Sequence, residues 1–178
     1  MKKSIRIFLS IITTIIISGI VWFFIRTQFY YVAKEDTLAT IMNNKNLNIT
    51  EDEQTITIEP VRWIPEYTFI FYPWAKVDTH AYIPKLWTLS LDHTLKIIIS
   101  KPPLHLQIFA INAAENISWK NIIIGWHSLG WSMACEYVKT HPNTVSWMIL
   151  MGAYCDGDIS SQSWVKTLII AASNDLVL

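Results

Sequence analysis

The residues best suited to chemistry lie in one short stretch. An apolar run, Asn121–Gly125 (NIIIG), leads into Trp126-His127-Ser128-Leu129-Gly130, and a segment of helical spacing follows (WSMACEYVKT). A serine on a tight turn between a buried strand and a helix has its hydroxyl lifted clear of the sheet edge, the arrangement written G-x-S-x-G. The same turn aims the backbone N–H of the next residue, here Leu129, at an oxygen that becomes negative during acyl transfer. A plain helix-capping serine is the alternative. Strand, His-Ser-x-Gly and helix in succession favour the turn. The adjoining His127 reads as structural, because consecutive side chains diverge at such a bend.

The elements that would hold this serine are legible from pattern. Candidate strands are Thr55–Ile58, Thr68–Tyr72, Thr94–Ser100, Asn121–Gly125, Val145–Met151 and Lys166–Ala171. Several are near-continuous β-branched runs (KIIIS, NIIIG, TLIIA), as expected for parallel strands covered on both faces. Helix candidates at about Thr79–Ser90, Leu106–Ile117 and Leu129–Thr140 fall between them. The alternation predicts an α/β fold, a mostly parallel sheet flanked by helices. Tyr67, Phe69, Phe71 and Tyr72 read as core.

Ahead of that domain, Lys2, Lys3 and Arg6 precede an uncharged run from Ile7 to Ile25. Such a run is long enough to cross a hydrocarbon core about 30 Å thick. It exceeds the apolar core of a signal peptide and lacks a small-residue cleavage pattern, so residues 1–26 are expected to be an uncleaved anchor. The basic amino terminus places it in the cytoplasm and the remainder outside, though Arg26 and Lys34 blunt the contrast. Residues 27–54 are polar and read as a spacer with room for one short helix, leaving 55–178 as the domain.

Further along, IFYPWAKVDTHAYIP, KPPLHLQIFAINAAENI, GWHSLGWSMACEYVKTHPNTV, MILMGAY and AASNDLVL, in that order, resemble a bacterial α/β-hydrolase family with a tyrosine-proline-glycine-glycine loop, a GGHSLGG elbow and a late N-D motif. The resemblance runs from about Thr68 to the end. It implies a serine hydrolase acting on a small ester or acyl substrate, with no metal or organic cofactor. Ser128 would be the nucleophile, and the N–H groups of Leu129 and of Trp74 or Ala75 the oxyanion hole. Asp175 would be the acid that orients a histidine, although Asn-Asp pairs also favour turns. In this fold the base follows the acid in the chain, yet after Asp175 come only Leu176, Val177 and Leu178. A serine hydroxyl is a weak nucleophile without a base. His80, His93 and His105 precede Ser128, and His141 closes the following helix, roughly 20 Å away at 1.5 Å per residue. The sequence therefore predicts a serine in place without its imidazole, and leaves open a catalytically inactive or truncated fold with a binding role or none.

The second departure is glycine. An average domain of this length would carry roughly 12; this chain has 5 Gly and 9 Trp. Trp74, Trp126, Trp131 and Trp147 stand where the family has glycine, which points to decay or to an unusual reading of the gene. Trp126 is the sharpest case, because an indole beside the elbow is expected to displace neighbours or shift the turn. Lys76 and Asp78 match the family's loop and read as solvated residues.

Composition narrows the rest. Lys plus Arg equal Asp plus Glu at 14 each, so no net field points to nucleic acid. Cys135 and Cys155 fit no metal spacing and read as small apolar fillers that would pair only after export. Asn48-Ile49-Thr50 and Asn116-Ile117-Ser118 match the N-glycosylation pattern, too short a signal to weigh.

Overall fold

The computed structural model describes residues 3–106, 121–128, 133–141, 143–153, 155 and 164–171. Residues 1–30 and 31–178 form two compact units. The first is helix α1 (Lys3–Thr27) and its short exit. Its large apolar side chains are exposed along the whole length. The hydroxyls of Thr13 and Thr14 donate back to the carbonyls of Leu9 and Ser10, each at 2.9 Å. With their polar groups satisfied inside the helix, they suit a medium without water. At about 1.5 Å per residue the helix is long enough to span a bilayer core.

In the second unit the order is α2 (Glu35–Met42), β1 (Leu47–Glu51), β2 (Thr55–Pro60), β3 (Tyr67–Tyr72), a 3₁₀ turn (Thr79–Tyr82), α3 (Ile83–Asp92), β4 (Leu95–Ser100), β5 (Ile122–His127), α4 (Met133–Thr140), β6 (Val145–Met151) and β7 (Lys166–Ile170). The strands form one sheet in the order β1-β2-β4-β3-β5-β6-β7. From β4 to β7 every neighbour pair is parallel. Only β2 runs the other way, antiparallel to both β1 and β4. The carboxyl ends of β3, β5, β6 and β7 therefore share one edge of the sheet.

Isoleucine-rich runs bury side chains on both faces, as parallel strands must. One face packs Phe69, Phe71, Ile97 and Ile99 with Ile41 of α2 and Ile83 and Leu86 of α3. The other packs Ile70, Tyr72, Ile124 and Leu150 with Cys135 and Val138 of α4. The alternation along β3 thus feeds two cores at once.

All six strands expected from pattern are present, within two residues at each end. Helix Leu129–Thr140 is described from Met133 onward, and Leu106–Ile117 lies outside the described residues. Two readings need correction. The polar stretch 27–54 is not a bare spacer: α2 and β1 lie within it, and Ile41 and Leu47 are buried in the core. The cysteines are not separate fillers either, because Cys135 and Cys155 form a disulfide across 20 positions. Pattern reading missed β1 because its solvent edge is polar, leaving few apolar residues to mark a period.

Two stability measurements follow. Gly125 faces Phe71 across the β3–β5 ladder, and a Cβ there would lie 2.5 Å from Phe69 Cζ and 3.3 Å from Phe71 Cδ2. Gly125→Ala is expected to cost about 1–3 kcal/mol in chemical denaturation, since the rings have no free side to retreat to. Cys155→Ser opens a loop whose closure restrains the unfolded chain, and is expected to cost about 3 kcal/mol under non-reducing conditions.

Candidate functional site

Positive backbone torsions occur at both ends of the sheet, at Thr94, Asn121 and Asn143 before strands and at Lys76, Leu104, His105 and Ser128 after them. After His127 ends β5, Ser128 adopts φ 74°, a region that side-chain-bearing residues avoid. Its N–H donates to the Met151 carbonyl at 2.8 Å, continuing the β5–β6 ladder past the last strand residue. That bond holds the backbone while the torsion swings it off the sheet. The sharp bend expected at Ser128 is therefore present. The helical segment that follows is described from Met133 as α4.

Trp126 neither breaks nor shifts β5. It pairs in register with Tyr72 and Leu150, and the ladder's one irregularity lies at the far end, between Ile122 and Ile123. Its ring is 2% exposed and stacks on Tyr72 with centroids 4.8 Å apart. Aromatic burial absorbs the bulk. The cost is polar: Trp126 Nε1 is buried without a hydrogen-bond partner among the described residues, worth about 1–3 kcal/mol.

Tyr82 joins the elbow to the loop after β3. The Trp74 N–H donates to Tyr82 Oη at 3.0 Å, and Oη lies 2.9 Å from His127 Nδ1. Burial pushes His127 below its usual value, with the Lys85 charge adding to the effect. Burial pushes the Tyr82 hydroxyl up. Both groups are therefore neutral near pH 7, and the arrangement that uses every partner has Oη donating to Nδ1. The Trp74 ring stands edge-on to His127 at 5.3 Å. Next in the loop, Lys76 takes φ 59° and its N–H donates to the His105 carbonyl at 2.8 Å. Of the candidate oxyanion donors, Trp74 thus spends its N–H on Tyr82, and Ala75 follows it in the same loop. Leu129 and Asp175 lie outside the described residues.

Of the remaining histidines, His80 and His105 stand at the Ser128 edge, His105 accepting the Lys76 N–H through its carbonyl, and the other two lie elsewhere. His93 caps the carboxyl end of α3, leading into the start of β4 and so toward the opposite end of the sheet. His141 stacks on Tyr137 at 4.1 Å, beyond α4. His80 sits at the Ser128 edge but is otherwise engaged. Its Nδ1 lies 2.8 Å from Asp78 Oδ1 and its Nε2 3.0 Å from Glu51 Oε2, while Glu51 also pairs with Lys101.

Asp78 is accordingly no idle solvated residue. It caps the 3₁₀ turn through the His80 N–H and orients the His80 ring. The sequence reading missed this network because Glu51 lay in a stretch taken as spacer. The Asp78-Thr79-His80 spacing was its one local signal, a side chain reaching an amide two residues on.

Burial opposes charge on His80, but hydrogen bonds and attraction from Asp78 and Glu51 outweigh it and raise its pKa. A raised folded value means the fold favours the protonated ring. Its contribution is complete below the usual value of 6.5 and fades as pH climbs through the raised value. The stability advantage of the parent chain over His80→Gln is expected to be larger at about pH 5.5 than at about pH 8.5 in urea titrations. An advantage that grows with pH would reverse the assignment.

The sequence profile of the alpha/beta hydrolase family matches residues 68–178. Solved structures with a similar course include carboxyl esterase 2 from the mycorrhizal fungus Tuber melanosporum (10% identity, TM-score 0.48, 68% of this chain and 48% of that one). Esterase LipW from Mycobacterium marinum is comparable (12% identity, TM-score 0.48, 65% and 47%), as is a thermostable esterase from Pseudomonas putida (13% identity, TM-score 0.48, 70% and 49%). The chain thus spans about half the length of these structures, and likeness at this level carries no inference about activity. Among curated proteins no relative matches. The profile covers most of the chain and takes in both Ser128 and the parallel strands beneath it: the chain belongs to the alpha/beta hydrolase family.

Proposed function

We propose that this chain is a membrane-anchored serine hydrolase of the α/β-hydrolase type, acting on a small ester or acyl compound. The observation that carries the reading is Ser128 at positive φ on the carboxyl end of β5, with its amide tied to Met151. In this reading Ser128 Oγ bonds to the acyl carbon as the ester C–O bond breaks. The serine proton passes to a general base and on to the departing alkoxide, and water then releases the acid by the reverse steps. The N–H groups of Leu129 and Ala75 receive the developing oxyanion, and Asp175 is the acid that would orient that base. The chemistry calls for no metal or organic cofactor.

Helix α1 anchors the chain, amino terminus inside and domain outside. The Cys135–Cys155 disulfide supports that sidedness, since such bonds persist in oxidising compartments.

The second reading is a fold kept for binding without turnover. It is favoured by the Trp74 amide being spent on Tyr82.

One experiment separates them. Among the described residues, His80 and His127 are engaged by other partners, so a small fluorophosphonate should label Ser128 slowly and faster when free imidazole is supplied. Labelling should vanish in Ser128→Ala. Labelling untouched by that substitution, or absent even with imidazole, would favour the binding reading.

A further inference from the structure

The loop after β3 leaves the sheet beside the elbow. β3 and β5 are parallel neighbours with Tyr72 opposite Trp126, and just past that pair the Trp74 ring meets His127. Three successive amides of this loop are used differently. The Trp74 N–H donates to Tyr82 Oη at 3.0 Å, and the Lys76 N–H donates to the His105 carbonyl at 2.8 Å. Between them, the Ala75 N–H has no hydrogen-bond partner among the described residues. Ala75 is only partly buried. An amide left open between two that are tied can meet an acceptor from outside the fold without reorganising.

The tie at Trp74 has a second end. Tyr82 Oη also lies 2.9 Å from His127 Nδ1, so one hydroxyl bonds both the loop that carries Ala75 and the strand end that leads into Ser128. Beyond Tyr72 and Trp126 the β3–β5 ladder supplies no further pair, and the Trp74–Tyr82–His127 link takes over. The core sets where that hydroxyl stands. Tyr82 is 4% exposed, its ring is 4.9 Å from that of Phe71, and it leads into α3, whose Ile83 and Leu86 are buried. A side chain packed this closely keeps one rotamer, so the spacing of the two backbones it bonds is fixed as well.

We propose that Tyr82 is a positioning residue for acyl transfer, its hydroxyl holding the loop to the elbow so that the Ala75 N–H points at the oxyanion formed on Ser128. The proposal rests on Ser128 as the nucleophile and adds a residue that acts through the loop, without contact with the reacting atoms. As Ser128 Oγ bonds to the acyl carbon, the carbonyl oxygen takes up the negative charge, and a donor must stand about 3 Å from it. A misplacement of about 1 Å costs as much as 10²-fold in rate. Removing the hydroxyl frees the loop while leaving the donor itself intact.

The test uses the full chain in detergent micelles, with a small fluorophosphonate as the probe and imidazole supplied. Tyr82→Phe keeps the ring and removes the hydroxyl. It is expected to lower the first-order labelling constant of Ser128 about tenfold and to leave the probe's apparent dissociation constant unchanged. Ala75→Pro deletes the donor. Ala75 and Lys76 form a turn with Lys76 at φ 59°, and the first central position of such a turn accepts proline. That variant is expected to label about 10²-fold more slowly than the parent. Adding Tyr82→Phe to it should then change the rate less than about twofold, because no donor remains to be aimed. A hydroxyl with a purely structural role would slow both backgrounds alike. That result, or a Tyr82→Phe chain that labels as fast as the parent, overturns the proposal while leaving the hydrolase reading in place. If Tyr82→Phe does not fold, His127→Leu breaks the same link from the elbow side and carries the same expectations in both backgrounds. A parent chain that is not labelled even with imidazole removes the hydrolase reading, and the role of Tyr82 with it.

Discussion

Everything at the candidate site depends on one strained torsion. Ser128 turns through φ 74° while its amide stays bonded to Met151. A non-glycine residue holds that conformation only where its surroundings over-determine it. Here they do. β5 is clamped between β3 and β6, with α4 on one face and the Phe69–Phe71 core on the other. The strand ends where both neighbours end, and Ser128 stands at that carboxyl edge.

The strands were readable because burial on both faces demands continuous β-branched runs, and KIIIS, NIIIG and TLIIA have little other use. The bend at Ser128 was readable for a related reason, since a His-Ser pair closing such a run marks where the strand must end. Long-range pairings were less legible. β1 is half polar because it is an outer strand, so Leu47 and Ile49 stand in a stretch that resembles a linker. The disulfide joins residues 20 apart across α4 and the end of β6, a proximity that only the assembled sheet creates. Trp126 was read as an obstruction, because its stacking partner Tyr72 lies more than fifty residues earlier and enters only through the β3–β5 register.

Two hydrogen-bonded groups hold the loop after β3 to this edge. Tyr82 links the loop's Trp74 to His127, and the Asp78-His80-Glu51-Lys101 chain links it to β1 and to the end of β4. Their two imidazoles are shifted in opposite directions: burial lowers the pKa of His127, whereas for His80 the carboxylates of Asp78 and Glu51 outweigh burial and raise it.

The central claim, a torsion imposed on Ser128 by the sheet, is tested most directly by comparing two replacements that both remove the hydroxyl. A residue with a Cβ pays roughly 1–2 kcal/mol to sit in the left-handed region, and glycine does not. Equilibrium denaturation should therefore find Ser128→Gly more stable than Ser128→Ala by about 1 kcal/mol. An alanine variant as stable as the glycine one, or more so, would mean that residue 128 is not held at positive φ and that the elbow does not form.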